Sequence, residues 1–178
     1  MVYMLFADGF EEIEAIETLD ILRRCGIEAA MVSLGGETVV GAHGVRIVPD
    51  MMIDEVDVDM MDALILPGGA PGYQNLDMSD AVHSLINTAL TTGKYLCAIC
   101  AAPSILGKKQ ILSGKRAVCF PGFEKYLYGA EVTGERVVRD GRIITSKGAG
   151  TAADFGFEIA ACLVGAEKAA EVRKTMQY

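Results

Sequence analysis

Histidine, positive charge and long apolar runs are all scarce in this chain. There are two histidines, His43 and His83, and none after residue 83. The formal net charge is −8, and no nucleic-acid partner is expected because phosphate contacts need a basic face. No apolar run approaches the ~18 residues of a membrane-spanning helix, so no membrane partner is expected either.

The first residues also lack the basic segment and the long apolar stretch of a secretory signal peptide. A strand-like run, Val2–Ala7, begins at once, and we expect a cytoplasmic protein. About half of the residues are hydrophobic, 51%, which is typical of a globular protein. A length of 178 residues suits one domain, residues 1–178, with a full-sized core.

Five cysteines at irregular spacing do not form a disulfide framework. Cys97 and Cys100 make a Cys-x-x-Cys pair, a pattern found in redox and metal sites. Cys97, however, lies inside a predicted strand and ahead of the turn, whereas a dithiol motif usually opens a helix. No second pair or histidine cluster completes a zinc site. We therefore expect no metal site and no cofactor.

Apolar strand-like runs alternate with helical patterns along the whole chain. The predicted strands are Val2–Ala7, Glu28–Ser33, Ala63–Leu66, Tyr95–Ile99 and Arg116–Cys119, with short strands around Val39 and Ile47 and a strand and hairpin over Glu131–Thr145 that turns at Asp140-Gly141. The predicted helices are Glu11–Cys25, Ser79–Thr92, Cys100 to about Lys108, Ala152–Val164 and Ala166–Met176. This order predicts an α/β fold with a mostly parallel sheet covered by helices on both faces. Ligands bind at the carboxyl ends of such strands.

Cys100 follows the predicted strand Tyr95–Ile99 and precedes small residues and Pro103, which suit the first turn of a helix. The pattern places the thiol on a tight strand-to-helix turn, facing the free amides and the positive dipole end of that helix. Such a position is expected to lower the pKa of the Cys100 thiol and make it reactive. The local pattern equally supports a small hydrophobic residue in a core.

Glu14 lies on the apolar side of the predicted helix Glu11–Cys25, between Ile21 and Cys25 in projection. A carboxylate that faces a sheet must be paired or protonated. We expect a Glu14 carboxyl group with a raised pKa, protonated at neutral pH, that contacts the Cys100 sulfur or moves a proton there. The alternative is a glutamate that bends to solvent at the start of the helix.

The Gly68-Gly69 pair follows a buried strand and is not followed by the Lys-Ser/Thr of a phosphate loop. It therefore forms either a plain turn or an amide site. In the second case, the amides of Gly69 and Ala101 point at one spot beside the Cys100 sulfur. Two such amides stabilise the oxyanion that forms when a thiolate adds to a carbonyl.

Four segments together resemble the ThiJ/PfpI superfamily, and within it the branch of Parkinson disease protein 7, the parkinsonism-associated deglycase, and its bacterial relatives. They are Phe10–Glu14 (FEEIE), Leu66–Gly69 (LPGG), Ala98–Pro103 (AICAAP) and Thr145–Thr151 (TSKGAGT). The resemblance is ordered and covers nearly the whole chain. It implies one ThiJ/PfpI-type domain, like that of the class I glutamine amidotransferases. It also implies a flavodoxin-like three-layer sandwich and usually a homodimer.

The resemblance carries the family nucleophile onto Cys100, its acidic partner onto Glu14, and the oxyanion amides onto Gly69 and Ala101. It implies cofactor-free glyoxalase or deglycase chemistry on small reactive carbonyls such as methylglyoxal and its adducts. A second hypothesis is an oxidative-stress sensor or holdase chaperone in which Cys100 is oxidised to a sulfinate. Both hypotheses use the same residues.

The chain departs from relatives at two positions. The peptidase branch has a histidine directly after the elbow cysteine, where this chain has Ala101, so peptidase activity is not expected. The Cys119–Gly122 segment (CFPG) lacks the histidine that some members place in that loop. A flavodoxin-like electron carrier is also disfavoured, because no Ser/Thr-rich phosphate loop follows the first strand.

The sequence predicts different positions for the two histidines. His83 is expected on a solvated helix face. His43 lies in a glycine-flanked loop and matches a family position that can be basic and approach the neighbouring active site. We expect a homodimer with His43 close to the partner subunit's Cys100, either as a source of imidazole for proton transfer or as a packing residue at the interface.

Overall fold

Eleven β-strands and six α-helices alternate along the chain in this computed structural model, which describes all 178 residues. The strands are β1 (Val2–Phe6), β2 (Ala29–Ser33), β3 (Val39–Val40), β4 (Arg46–Ile47), β5 (Met51–Met52), β6 (Ala63–Leu66), β7 (Tyr95–Ile99), β8 (Arg116–Ala117), β9 (Glu131–Val132), β10 (Val137–Asp140) and β11 (Ile143–Ser146). The helices are α1 (Thr18–Arg24), α2 (Gly72–Asp77), α3 (Asp80–Thr91), α4 (Pro103–Lys108), α5 (Ala152–Val164) and α6 (Ala166–Thr175). Short 3-10 turns lie at Ile53–Glu55, Val58–Met60, Glu124–Tyr126 and Ala149–Thr151.

The central sheet has seven strands in the order β10-β11-β7-β6-β1-β2-β5. Adjacent strands are parallel except for β10 and β11, which form an antiparallel hairpin. Strands β3 and β4 pair antiparallel, and β8 and β9 pair parallel, outside this sheet. The predicted α/β fold with a mostly parallel, flavodoxin-like sheet is confirmed.

The carboxyl ends of β6, β7 and β11 lie side by side at one edge of the sheet. Leu66 pairs with Ala98, and Ile99 pairs with Ser146. The segments that follow these three strands therefore start next to one another. This is the edge at which sheets of this kind bind ligands.

Both faces of the sheet are buried, as the alternating side chains of β1 show. Val2, Met4 and Phe6 belong to one cluster of 23 buried residues, and Tyr3 and Leu5 belong to a second cluster of 23. Helices α1, α5 and α6 contribute to the first cluster, and α2, α3 and α4 to the second. Each fully buried large apolar side chain contributes roughly 1.5–3 kcal/mol, so apolar contact holds both helical layers to the sheet.

Two helices differ in how closely they follow the sequence pattern. Ser79 caps α3 as predicted, because its side chain accepts a hydrogen bond from the Val82 N–H. The predicted helix Glu11–Cys25 begins instead with a π-helical segment, Ile13–Glu17, which leads into α1. Such segments are frequent at functional sites. None of the helices has the length and apolarity that crossing a membrane requires.

Several boundaries need correction. Asp140 pairs with Ile143, so the two-residue hairpin turn is Gly141-Arg142 and not Asp140-Gly141. Gly141 adopts the left-handed conformation, with φ of +61°, while Asp140 continues the strand. The strand predicted over Arg116–Cys119 ends at Ala117. Neither α2 nor β5 is predicted from sequence, because elements this short show no clear periodicity.

Candidate active site

Cys100 lies immediately after β7 with φ of +65°, in the left-handed region that a non-glycine residue rarely adopts. Its N–H donates to the Ser146 carbonyl at 2.9 Å, and its own carbonyl accepts from the Phe120 N–H at 2.8 Å. These two hydrogen bonds hold the turn between β11 and the loop that contains Phe120. Strain of this kind costs about 1–3 kcal/mol and is concentrated at functional sites. The predicted turn between strand and helix is present, with α4 beginning at Pro103.

Glu14 is held in the π-helical segment and is 1% exposed. Its Oε2 accepts a hydrogen bond from the Gly68 N–H at 2.9 Å, and the nearby Cys100 thiol and Ala149 amide lower the pKa of its carboxyl group. The alternative in which this side chain bends to solvent is therefore wrong. The structure brings Glu14 and Cys100 together beside the ends of three strands.

Gly68 leaves the space in which these two side chains meet. A Cβ atom at this position would lie 2.5 Å from Glu14 Oε2 and 3.1 Å from the Cys100 sulfur. The position therefore tolerates no side chain while Glu14 and Cys100 keep their contact. Sequence alone shows a glycine pair after a strand but not this reason for it.

The backbone amides of Ala101 and Gly69 lie close enough to the Cys100 sulfur to lower the pKa of the thiol. Gly69 has φ of +92°, which turns its N–H toward the elbow and is accessible to glycine at no steric cost. The sulfur therefore lies among one carboxyl group and two backbone donors. The role of these two amides in stabilising an oxyanion stays a prediction.

Burial raises the pKa of Glu14 from 4.5 to about 7, against the opposing effect of its hydrogen bonds to Cys100 and Gly68. The negative charge of Glu11 raises it further. A pKa of about 7 means that Glu14 exchanges its proton at neutral pH. The predicted rise in the pKa of Glu14 agrees with this value.

The pKa of Cys100 is raised, whereas the elbow position alone predicts a lowered one. Burial is the largest cause, followed by the charge and hydrogen bond of Glu14, and the amides of Ala101 and Gly69 oppose them. The prediction of a lowered pKa is wrong because it counts only the helix start. A thiol with a raised pKa needs an adjacent base to become a nucleophile.

The two histidines lie apart from Cys100 in their own chain. His43 is exposed, and its Nδ1 lies 2.8 Å from Glu12 Oε2. This hydrogen bond raises the pKa of His43. His83 is half-buried, with Nε2 2.7 Å from the carbonyl of Asp77 at the end of α2, so the prediction of a solvated His83 is wrong.

Glu11, Glu12 and His43 offer ligand atoms within 4.8 Å of one another and are the residues that could hold a metal ion. The Glu12 carboxylate already accepts bonds from the N–H groups of His43 and Val45 and from the His43 ring. These hydrogen bonds explain why Glu12 and His43 lie together, since the two residues form an ion pair within the chain. No step of the chemistry below uses a metal.

The candidate site of a single chain combines a half-buried Cys100 with a buried Glu14. None of the five main surface cavities is lined by Cys100 or Glu14. The exposed ring of Phe120 stands at its rim, beside Gly148. The sequence indicates only that the loop Cys119–Gly122 lacks a histidine. It does not predict that the Phe120 ring lies at the site.

The sheet order and a cysteine held at a strand-to-helix elbow by flanking strands define an α/β protein of the flavodoxin-like class with a nucleophile elbow. The description of the matching family model is DJ-1/PfpI family, and it covers residues 1–162. The chain belongs to the DJ-1/PfpI family.

Two relatives and one solved structure are similar to this chain over nearly their full length. Protein dj-1beta of Drosophila melanogaster is 39% identical over 174 residues, which is 96% of this chain and 93% of the relative. The glutathione-independent glyoxalase DJR-1.2 of Caenorhabditis elegans is 35% identical over 174 residues, 97% of this chain and 93% of the relative. A crystal structure of a DJ-1 superfamily protein from Salmonella typhimurium superposes with a TM-score of 0.95 at 35% identity and covers 99% of this chain and 97% of that one.

Proposed function

We propose that this protein is a cofactor-free stress-response enzyme of the cytoplasm that uses Cys100 to convert small 2-oxoaldehydes, methylglyoxal foremost, into 2-hydroxy acids. The observation that carries the proposal is the convergence of the Glu14 carboxyl group and the amides of Gly69 and Ala101 on the Cys100 sulfur. A base, a nucleophile and two oxyanion donors at one point are what addition to a carbonyl needs. The glyoxalase name of the nematode relative supports the same activity.

In the first step the Cys100 sulfur adds to the aldehyde carbon. The thiol proton passes to the Glu14 carboxylate, whose pKa of about 7 suits a general base at neutral pH. The aldehyde oxygen becomes an oxyanion beside the amides of Gly69 and Ala101 and then takes up a proton. The product is a hemithioacetal.

In the second step the hydrogen on the former aldehyde carbon is removed as a proton, and a proton is delivered to the neighbouring carbon that carried the ketone. The hydroxyl proton on the former aldehyde oxygen passes to the former ketone oxygen. In this proposal Glu14 carries the protons that leave and reach carbon. This internal transfer oxidises one carbon and reduces the other, so no external oxidant is required. Water then hydrolyses the 2-hydroxyacyl thioester and frees Cys100, and methylglyoxal plus water gives lactate. The same addition to the carbonyl of a methylglyoxal adduct begins deglycase chemistry.

Incubation of the purified protein with methylglyoxal, without added thiol, tests the proposal. We expect lactate to form catalytically, in many equivalents per chain. Lactate that stops at one equivalent, or no lactate at all, would contradict an enzyme of this kind.

A second candidate function is an oxidation sensor, and the same geometry favours it. A sulfinate at Cys100 would accept hydrogen bonds from the Gly69 and Ala101 amides and from a protonated Glu14. Two equivalents of hydrogen peroxide convert the thiol to the sulfinate and give two of water. Mass spectrometry after limited peroxide treatment is expected to place the added oxygens on Cys100, and their appearance on another cysteine first would exclude this role.

We also propose a homodimer in which a second copy covers the apolar surface next to His43. Ile13, Val45 and Val48 are exposed by 53%, 50% and 72%, and Ile16 lines a shallow cavity together with Val48. Exposed apolar side chains in such a group mark an interaction surface. His43 is the imidazole on this surface, and its side chain is exposed.

We expect sedimentation to give a dimer and Val48→Asp to give a monomer, because a charge in an apolar interface loses its hydration. His43→Ala is expected to reduce turnover of methylglyoxal while Cys100 still reacts with iodoacetamide. His83→Ala serves as the control, since His83 bonds within its own chain. A monomeric wild-type protein, or full turnover in His43→Ala, would contradict the shared site.

A further inference from the structure

We propose that Phe120 is the specificity-determining residue of this site and that it selects 2-oxoaldehydes with an uncharged apolar substituent, aryl groups above all. The inference rests on the proposed function and adds to it a substrate class. It concerns a residue that the chemistry of addition and proton transfer does not use.

The backbone fixes Phe120 at the elbow itself. Its N–H donates to the carbonyl of Cys100 at 2.8 Å, and the neighbouring Cys119 is buried, so the loop cannot move independently of the nucleophile. Phe120 nevertheless exposes 47% of its surface. A large aromatic side chain that is anchored at its backbone and open to solvent on its ring is available for a ligand.

The ring stands beside the reacting groups. A Cβ atom at Gly148 would lie 3.3 Å from Phe120 Cδ2 and 3.7 Å from Glu14 Oε1. One point therefore lies in contact with both the Phe120 ring and the carboxyl group that serves Cys100. The absence of a side chain at Gly148 leaves that point free. A substituent on a carbonyl bound at Cys100 extends toward this ring.

The charges around the site oppose an anionic substituent. Glu11 and Glu14 are acidic, and the only imidazole on this side, His43, is already paired with Glu12. The ammonium group of Lys147, which follows β11, is bonded to the carbonyl of Gly134. The negative charges of Glu11 and Glu14 therefore disfavour a carboxylate on the substrate, whereas a phenyl or alkyl group contacts the Phe120 ring.

The test compares kcat/KM for phenylglyoxal with kcat/KM for methylglyoxal. We expect Phe120→Ala to lower this ratio roughly tenfold, the scale of discrimination by one apolar contact, and Phe120→Leu to lower it less. Tyr128→Ala is the matched control, because Tyr128 is a comparably exposed aromatic residue, at 49%. We expect the ratio of the two kcat/KM values in Tyr128→Ala to equal that of the wild type. An unchanged ratio in Phe120→Ala overturns the inference.

Labelling of Cys100 separates this inference from the proposed function. The rates of alkylation by 2-iodo-N-phenylacetamide, iodoacetamide and iodoacetate are read by mass spectrometry at Cys100 and need no turnover. The wild type is expected to favour the phenyl reagent and disfavour iodoacetate, and Phe120→Ala is expected to lose the preference for phenyl. A protein that forms no lactate but shows this pattern contradicts the enzyme and supports the role of Phe120. Equal phenyl preference in wild type and Phe120→Ala overturns that role whatever the turnover.

Discussion

Cys100→Ser is expected to lower kcat/KM for methylglyoxal by about a thousandfold or more, the scale on which loss of a nucleophile acts. Serine is close to cysteine in size, and the amides of Gly69 and Ala101 keep an acceptor. The pKa of a hydroxyl lies far above that of a thiol, and Glu14, with a pKa of about 7, is too weak a base to take its proton. Steady-state lactate formation measures the loss.

Cys162→Ser is the control for this substitution. Cys162 is the other half-buried thiol, and its sulfur lies 3.0 Å from a guanidinium nitrogen of Arg139, in contact with neither Glu14 nor Gly69. We expect its replacement to leave turnover unchanged. Loss of activity in Cys162→Ser with retention in Cys100→Ser would show that the nucleophile is assigned to the wrong cysteine.

Local sequence signals were sufficient to predict the turn at Cys100 and the buried carboxyl group of Glu14. An apolar run, two alanines and Pro103 predict the turn at Cys100, because each is a preference of a few adjacent residues. Glu14 is recognisable because a carboxylate on the apolar side of a helix violates the helical period. Strand–helix alternation predicts the parallel sheet, and the sheet alone brings the ends of β6, β7 and β11 together.

Properties that depend on residues distant in the sequence could not be obtained in this way. The pKa of Cys100 depends on how completely the fold buries its sulfur and on the charge of Glu14, and the local pattern contains neither. The ion pair of His43 with Glu12 and the position of the Phe120 ring beside Gly148 depend on loops, which have no period to detect. The one-residue error in the β10–β11 turn arose because Asp-Gly fits two registers.

Glu14→Gln is expected to make the protein more stable than the wild type above neutral pH and to have little effect in acid. Glu14 has a pKa of 4.5 in the unfolded chain and about 7 in the folded one. Below about pH 4.5 both states hold the proton, so folding carries no penalty from ionisation. Between about pH 4.5 and 7 the unfolded chain gives up this proton while the folded protein keeps it, so the wild type loses roughly 3 kcal/mol of stability over this range and little more at higher pH.

Glutamine keeps an oxygen for the Gly68 N–H and has no proton to lose, so the free energy of unfolding of Glu14→Gln lacks this decline. Urea unfolding of both proteins between about pH 4 and pH 8 measures the difference. Glu131→Gln, at an exposed position, is the control and is expected to follow the wild type.

The same Glu14→Gln protein is expected to lose about a hundredfold or more in turnover, the scale of losing a general base. A variant that is more stable at high pH and nearly inactive links the burial of Glu14 directly to its role. A stability difference that does not change with pH would mean that Glu14 does not titrate in this range.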